Sequence, residues 1–458
     1  MSPRLRILVP TVVAVVAAGV ALSGGLGIRL DSGPASSAAS DAIDPGGSAG
    51  DEASLAPTPT PAPTPRPPLG GTELYGYLPY WQMTASMAIY LRATPLTTVA
   101  LFSVGARRNG AIHTGTNAYR RIAGDIGRRL IDEAHARDAR VELVFTSFGT
   151  ERNGIFFGRI PRPTPGASPG PSAGTGSGPG TGAGAGTPLP LPASPSAGPS
   201  STPPAPPWHR TVRELVELAV ELGVDGINVD VELLDEADRG AYGEFLVALR
   251  AALRSAIPDA QLTVATEAGQ RGVGNAAAAA AAGVDRVFLM GYDYHWSGSQ
   301  PGASSPVDRS DGLYTLRWSI DRYVEAGVPR DRILLGLPLY GMRWRLEAPG
   351  RSSTVIGRGV TWVPGNNLDL VLDDDFRPGR DRLEVSEVFW QQDGAEWLVT
   401  FYDSPATTRP KLALALDNGL AGAGFWAMGY ERGIPGYLAL MRAFRDGDVA
   451  RAEAPPRP

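Results

Sequence analysis

The chain contains no cysteine and has one lysine, Lys411, among its 458 residues. The absence of cysteine excludes disulfide bonds, cysteine-ligated zinc and thiol nucleophiles. The formal net charge of -5 is small for this length and gives no indication of a nucleic-acid partner. An apolar run, residues 7–22, follows Arg4 and Arg6 at the N-terminus. Residues 1–30 therefore predict either a signal peptide or a membrane anchor, and a protein that is secreted or tethered at the cell surface.

Glycine and proline are abundant, but they are concentrated in a few segments. Residues 31–71 are rich in Ser, Gly, Ala and then Pro and Thr, which predicts an extended linker that cannot build a core. Residues 161–207 form a second tract of this kind with almost no charge, which we interpret as a disordered insertion. Residues 448–458 are expected to be a disordered tail. One folded domain is thus predicted over residues 72–447.

Within that domain, strand-like and helix-like segments alternate. The eight strand candidates are residues 74–77, 98–103, 141–147, 226–231, 262–266, 286–290, 333–337 and 422–426. The helix candidates are residues 119–137, 211–222, 241–256, 275–282, 316–326, 411–418 and 437–444. This order predicts an α/β protein, and eight parallel strands are the number that closes a (β/α)8 TIM barrel. The alternative is an open doubly wound sheet, which normally has a glycine-rich phosphate turn after the first strand; residues 76–79 do not form one.

A second interruption, residues 345–400, follows the seventh predicted strand. Its short alternating segments predict a small α+β insertion with an antiparallel sheet. They are residues 353–356, 360–363, 383–389 and 397–401. The acidic run at residues 373–375 lacks the glycine placement of a calcium loop, so we interpret it as a solvated face rather than a metal site.

Residues 225–232, with the sequence DGINVDVE, are the most informative stretch. Side chains alternate between the two faces of a strand, so the apolar residues 227, 229 and 231 share one face. Asn228, Asp230 and Glu232 share the other, where a polar row is costly unless it lines a cavity. Two carboxylates about 6–7 Å apart raise each other's pKa, which can keep one protonated as a general acid. The alternative is a strand that ends in solvated acids before a helix.

Aromatic residues follow several of the predicted strands, where a (β/α)8 barrel has its active site. Four of them are tryptophans, Trp81, Trp296, Trp344 and Trp426. Flat rings pack against the C–H faces of sugars and lose little side-chain entropy on ordering. A single tryptophan of this kind is more often part of a core, but four at one rim favour a sugar-binding cleft.

Five segments together resemble the ordered motifs of glycoside hydrolase family 18, the chitinase-like barrels. They are residues 74–77, 225–232, 290–293, 336–341 and 422–426. The pair of motifs D-G-x-x-x-D-x-E and M-x-Y-D, in this order, is a specific signal. The resemblance extends from residue 74 to about residue 447, except for the tract at 161–207, and implies a barrel with an insertion after the seventh strand.

The resemblance implies a retaining hydrolysis of β-1,4 bonds in polymers of N-acetylglucosamine, assisted by the substrate's own acetamido group. Glu232 would be the general acid and base, and Asp230 would bind the acetamido N–H. Tyr292 would hold the acetamido oxygen, Asp293 would bind the sugar nearby, and Trp426 would lie under it. Further candidate substrate-binding residues are Asn228, Tyr77, Tyr340 and Trp296. No metal and no organic cofactor are implied.

Two departures from the family pattern affect the choice of polymer. The family commonly has an acid where Asn228 stands, and chitinases usually show Ser-x-Gly-Gly where this chain has residues 146–149, TSFG. Asparagine at position 228 resembles the pattern of the bacterial cell-wall and spore-cortex branch of the family. Chitin and peptidoglycan are therefore both candidate substrates. An amide at position 228 could also donate a hydrogen bond to Asp230. The competing hypothesis is a catalytically silent sugar-binding protein on the same barrel. We expect a monomer that is either free or tethered to a membrane through residues 7–22.

Overall fold

The computed structural model describes residues 72–161 and 205–449. The predicted signal or anchor, the linker at 31–71, most of the tract at 161–207 and almost all of the tail lie outside these residues. Within the described ranges, no helix combines the length and the apolar character that crossing a bilayer requires.

Eight parallel strands close into a barrel, as the sequence predicts. In chain order they are β1 (Glu73–Pro79), β2 (Thr98–Gly105), β3 (Arg140–Phe148), β4 (Gly226–Glu232), β5 (Gln261–Glu267), β6 (Arg286–Met290), β7 (Ile333–Pro338) and β13 (Gly422–Trp426). Around the barrel the order is β1-β13-β7-β6-β5-β4-β3-β2, with every neighbouring pair parallel. The open-sheet alternative is therefore wrong. Each predicted strand lies within two residues of its observed bounds.

The helices surround the barrel, except for one short helix that lies in the insertion after β7. They are α1 (Ala85–Leu91), α2 (Asn117–Ile122), α3 (Asp125–His135), α4 (Thr150–Phe156), α5 (Trp208–Leu222), α6 (Arg239–Ala256), α7 (Gln270–Ala281), α8 (Leu316–Glu325), α9 (Leu368–Val371), α10 (Pro405–Asp417) and α11 (Tyr437–Arg445). The single helix predicted at 119–137 is wrong, because Gly124 is extended and divides it. A Cβ on Gly127 would lie 1.9 Å from the carbonyl oxygen of Ile122, so the chain turns here more tightly than another residue permits.

The strand β4 has the two faces that its alternation predicts. Ile227, Val229 and Val231 belong to the core between the barrel and its helices. The opposite face points into the barrel, where Tyr75, Tyr77 and other large side chains form a second buried cluster. The polar row of β4 therefore lies in the barrel interior.

The insertion after β7 is a five-stranded antiparallel sheet with one short helix. Its strands are β8 (Gly341–Leu346), β9 (Val360–Trp362), β10 (Gly379–Asp381), β11 (Ser386–Asp393) and β12 (Glu396–Tyr402). Their order is β10-β11-β12-β8-β9. The insertion starts at Gly341 rather than at 345, because β8 follows β7 after only two residues. The strand predicted at 353–356 is wrong, since only Val355 makes an isolated bridge there, with Leu346.

One predicted rim aromatic belongs to the core of this insertion. Trp344 is fully buried on β8, and its ring packs edge-on to Phe401 at 6.3 Å. Its place was misjudged because Leu339 and Tyr340 turn the chain directly into β8. Trp344 therefore cannot serve as part of a sugar-binding cleft.

Candidate active site

Asp230 and Glu232 lie at the C-terminal end of β4 and share one pocket. That pocket is lined by Tyr77, Phe102, Asp230, Glu232, Ala265, Met290, Tyr292 and Trp426. Its volume is about 10 Å³, which admits a group of about the size of one water molecule but no sugar ring. The structure therefore brings together five residues that the sequence singles out: Asp230, Glu232, Tyr292, Tyr77 and Trp426.

Neighbouring strands fix the end of β4. The backbone N–H of Gly149 and the side-chain amide of Asn153 both donate to the carbonyl oxygen of Glu232, at 3.2 and 2.7 Å. The next residue, Leu233, has a φ of 58° and donates its N–H to Glu267 at 2.9 Å. These contacts end the strand sharply at Glu232, so its side chain points into the pocket.

Burial raises the pKa of Glu232 well above its ordinary value, and the nearby carboxylates of Asp230, Glu267 and Asp293 raise it further. Burial also raises the pKa of Asp230, with Glu267 contributing. Both side chains are almost fully buried. A carboxylic acid in this setting keeps its proton to higher pH, which is the property a general acid needs.

Asp293 and Tyr340 form a second polar group beside the pocket. The hydroxyl of Tyr340 donates to the carboxylate of Asp293, and the backbone N–H of Asp293 donates to the hydroxyl of Ser304 at 3.0 Å. Burial raises the pKa of Asp293 to about 6, although side-chain hydrogen bonds with Tyr340 and Ser304 lower it in part. Tyr340 thus orients Asp293 and does not line the pocket. The ring centres of Tyr292 and Tyr340 are 6.2 Å apart, so the Asp293–Tyr340 pair lies next to the residues that line the pocket.

Asn228 lies below the pocket and is fully buried. Its side-chain amide donates to the hydroxyls of Tyr75 and Tyr77, at 2.9 and 2.8 Å. Both amide hydrogens are directed at tyrosines, so the expected hydrogen bond from Asn228 to Asp230 is wrong. Asn228 positions the ring of Tyr77, which itself lines the pocket.

A buried acid that the sequence reasoning missed continues this network. Glu142 on β3 is fully buried and accepts hydrogen bonds from Tyr75 at 2.5 Å and from Thr263 at 2.8 Å. Burial raises the pKa of Glu142 from 4.5 to about 8, and the hydrogen bonds from Tyr75 and Thr263 lower it in part. The available signal was a glutamate within the otherwise apolar run of residues 141–145.

This acid should make stability depend on pH. Between pH 4.5 and about 8 the folded protein keeps a proton on Glu142 that the unfolded chain releases, so stability falls as pH rises. We expect Glu142→Gln to remove this loss of unfolding free energy. The loss amounts to about 1.4 kcal/mol for each unit by which folding raises the pKa of Glu142. Denaturant unfolding from pH 5 to pH 9 should show the variant gaining on the wild type as pH rises. The exposed Glu244 provides the control Glu244→Gln, and parallel curves for the wild type and Glu142→Gln would contradict the assignment.

The aromatic residues at the mouth of the barrel form a connected group. Trp426, at the end of β13, packs edge-on against Phe102 at 4.6 Å and against Tyr77 at 5.6 Å. Trp81 lies 6.4 Å from Trp426 and donates its indole N–H to Tyr430. Trp296 does not line the pocket; its half-buried ring is covered by the guanidinium of Arg358 at 5.6 Å.

The two buried acids at the C-terminal end of β4 lie where (β/α)8 barrel enzymes have their active sites. The family described as Glycosyl hydrolases family 18 matches residues 209–431, so this part of the chain is similar to that family. The match includes the pocket residues Asp230, Glu232, Tyr292 and Trp426.

Individual relatives are more distant. The chain is 28% identical over 156 residues to the class V chitinase CHIT5 of Lotus japonicus, covering 32% of this chain and 38% of the relative. It is 24% identical over 225 residues to the cortical fragment-lytic enzyme of Bacillus anthracis, covering 48% of this chain and 50% of the relative. The chain thus spans half or less of the length of these relatives.

Solved structures share the fold. The spore cortex-lytic enzyme SleL of Bacillus cereus has a TM-score of 0.57 at 17% identity, covering 84% of this chain and 75% of that one. A mutant class V chitinase from Nicotiana tobaccum, in complex with NAG4, has a TM-score of 0.61 at 16% identity, covering 82% and 98%. Both likenesses cover more of the chain than residues 209–431.

Proposed function

We propose that the chain is a retaining glycosidase that hydrolyses β-1,4 bonds of polymers containing N-acetylglucosamine, chitin or peptidoglycan. The observation that carries the proposal is the position of Asp230, Glu232 and Tyr292 in one buried pocket at the C-terminal end of the barrel. The similarity to a chitinase and to a cortical fragment-lytic enzyme supports this substrate class.

The size of the pocket favours a substrate-assisted mechanism. A space of about 10 Å³ between Tyr77, Met290 and Tyr292 fits part of an acetamido group, with the sugar ring above it against Trp426. Family 18 enzymes are an exception to the usual pair of catalytic carboxylates. The second group in this mechanism is the substrate's own acetamido oxygen.

In the first step, the acetamido carbonyl oxygen attacks the anomeric carbon while the bond to the leaving oxygen breaks. Glu232 gives its proton to that oxygen, which the raised pKa of Glu232 permits near neutral pH. Asp230 accepts the acetamido N–H and stabilises the positive charge of the oxazolinium ion. Water then attacks the anomeric carbon from the side that the leaving group vacated, and its proton returns to Glu232. Two inversions at the same carbon give net retention.

The test compares a chitin hexamer with the same hexamer after removal of its acetyl groups. We expect hydrolysis of the acetylated hexamer and a loss of at least about 100-fold for the deacetylated one, because the internal nucleophile is missing. Product masses identify the bonds that are cut, and peptidoglycan strands form the second arm. If both glycans bind and neither is cut, the chain is a silent sugar-binding protein.

We further propose that the protein acts outside the cell or at its surface. This rests on the sequence of residues 1–30 alone: two arginines and then an apolar run. Fractionation of cells that produce the full chain, with mass analysis of its N-terminus, distinguishes a cleaved signal from an anchor.

A further inference from the structure

Two cavities adjoin the active-site pocket at the C-terminal ends of β2 and β3. Their volumes are about 520 and 350 Å³. His113 and Arg152 line both, so the cavities are continuous with each other. We call the pair the β2–β3 cavity. Nothing in the proposed mechanism uses it.

Hydrogen bonds and strand register place this cavity next to Glu232. The hydroxyl of Ser147, which lines the larger part, donates to Asn153, and the amide of Asn153 donates to the carbonyl oxygen of Glu232, both at 2.7 Å. Thr146, which lines the smaller part, is in register with Asp230 on β4. Neighbouring strands are about 4.8 Å apart, so a polymer held at Glu232 extends over the β2–β3 cavity.

The lining of the larger part carries an excess of positive charge. Arg107, Arg108 and Arg152 face a single acid, Glu151. The Arg108–Glu151 pair is 3.9 Å apart with both side chains mostly exposed, so it contributes little. Arg107 makes no ion pair with any residue of the two described ranges.

Arg152, like Arg107, makes no ion pair with a carboxylate of the described residues. Its guanidinium donates to the carbonyl oxygen of Ala106, which fixes its position at the cavity wall. Burial lowers the pKa of Arg152, and the nearby charge of Arg108 lowers it further. A guanidinium held beside a like charge, with no carboxylate bonded to it among the described residues, is favourably placed to bind an anion.

We propose that the β2–β3 cavity binds the carboxylate of an acidic sugar in the polymer, with Arg107, Arg108 and Arg152 as ligands. This rests on the proposed function and narrows its substrate class. Chitin is neutral and has no anionic group that could bind to the three guanidinium groups. A peptidoglycan glycan strand carries a lactyl group on every second sugar, and this group ends in a free carboxylate where the stem peptide has been removed. Guanidinium binds carboxylate through two parallel hydrogen bonds. The structure thus favours carboxylate-bearing glycan strands over chitin.

The test uses the double variant Arg107→Gln/Arg108→Gln. The matched control is Arg128→Gln/Arg129→Gln, which removes the same charge from the exposed side of α3. Two probes of six sugars each are compared: a chitin hexamer and a peptide-free peptidoglycan strand. Their kcat/KM is measured at low and high salt, and their Kd is measured in a Glu232→Gln background, where no turnover occurs.

We expect the cavity variant to weaken binding of the carboxylate-bearing strand by about tenfold and to leave the chitin hexamer within about twofold. High salt should reduce the preference of the wild type for the acidic strand, and it should reduce that of the cavity variant, which keeps Arg152, by less. An equal effect on both probes, or no effect on either, would overturn the proposal. Because Kd is measured without turnover, this outcome differs from failure of the proposed function, in which the wild type cuts neither probe.

Discussion

Replacing Glu232 with glutamine is expected to lower kcat by about 100- to 10,000-fold while chitin oligomers still bind. Glutamine keeps the shape of the side chain but has no acidic proton to give to the leaving oxygen. The backbone of Glu232 is held by Gly149 and Asn153, and these contacts do not involve its carboxyl group. The fold and the pocket should therefore survive the substitution.

Three measurements separate loss of chemistry from loss of structure. Single-turnover rates on a chitin hexamer report the chemical step, Kd reports binding, and denaturant unfolding reports stability. Glu236→Gln is the matched control, because Glu236 lies in the turn after β4 with its side chain 85% exposed. Turnover by Glu232→Gln close to that of the wild type would remove Glu232 from the mechanism.

Replacing Lys411 with methionine is expected to cost about 3–5 kcal/mol of unfolding free energy. Lys411 is fully buried in α10, and its ammonium group donates to both carboxylate oxygens of Asp403, at 2.6 and 2.7 Å. It also donates to the hydroxyl of Ser305 at 2.8 Å. Removing the ammonium leaves a buried carboxylate without its cation. Denaturant unfolding of the purified variant measures the loss.

The double variant Lys411→Met/Asp403→Asn tests the cause. It removes both charges, so we expect it to recover part of the lost stability. Ser305 follows Ser304, whose hydroxyl accepts the backbone N–H of Asp293. Loosening this loop should therefore raise KM more than it changes kcat. Equal stabilities of the single and double variants would show that uncompensated charge is not the cause.

The barrel was predictable because its signal is local. Most of the buried strands are short runs rich in β-branched and aliphatic residues, as in residues 262–266, and the runs recur between helical segments. Alternation along β4 also placed Asp230 and Glu232 on the inward face. Their meeting with Tyr292 and Trp426 followed from the rule that active sites of such barrels lie at the C-terminal ends of strands.

The predictions that were wrong concern residues whose environment depends on neighbours distant in sequence. Trp344 was expected at the rim, but it is buried because β8 pairs antiparallel with β12, more than fifty residues later. The amide of Asn228 donates to Tyr75 and Tyr77 on β1, and register within β4 alone cannot show this. The charge excess at Arg107 and Arg152 depends on how the loop after β2 lies relative to α4, which the sequence does not show.

The central claim is that Glu232 and the substrate's own acetamido group together cleave the glycosidic bond. The most direct test is the configuration of the first product, followed by proton NMR during hydrolysis of a chitin hexamer, before mutarotation. The account predicts that the new reducing end first appears as the β-anomer, since two inversions at one carbon retain the configuration of the bond. First appearance of the α-anomer would mean that water attacks directly, and would contradict the account.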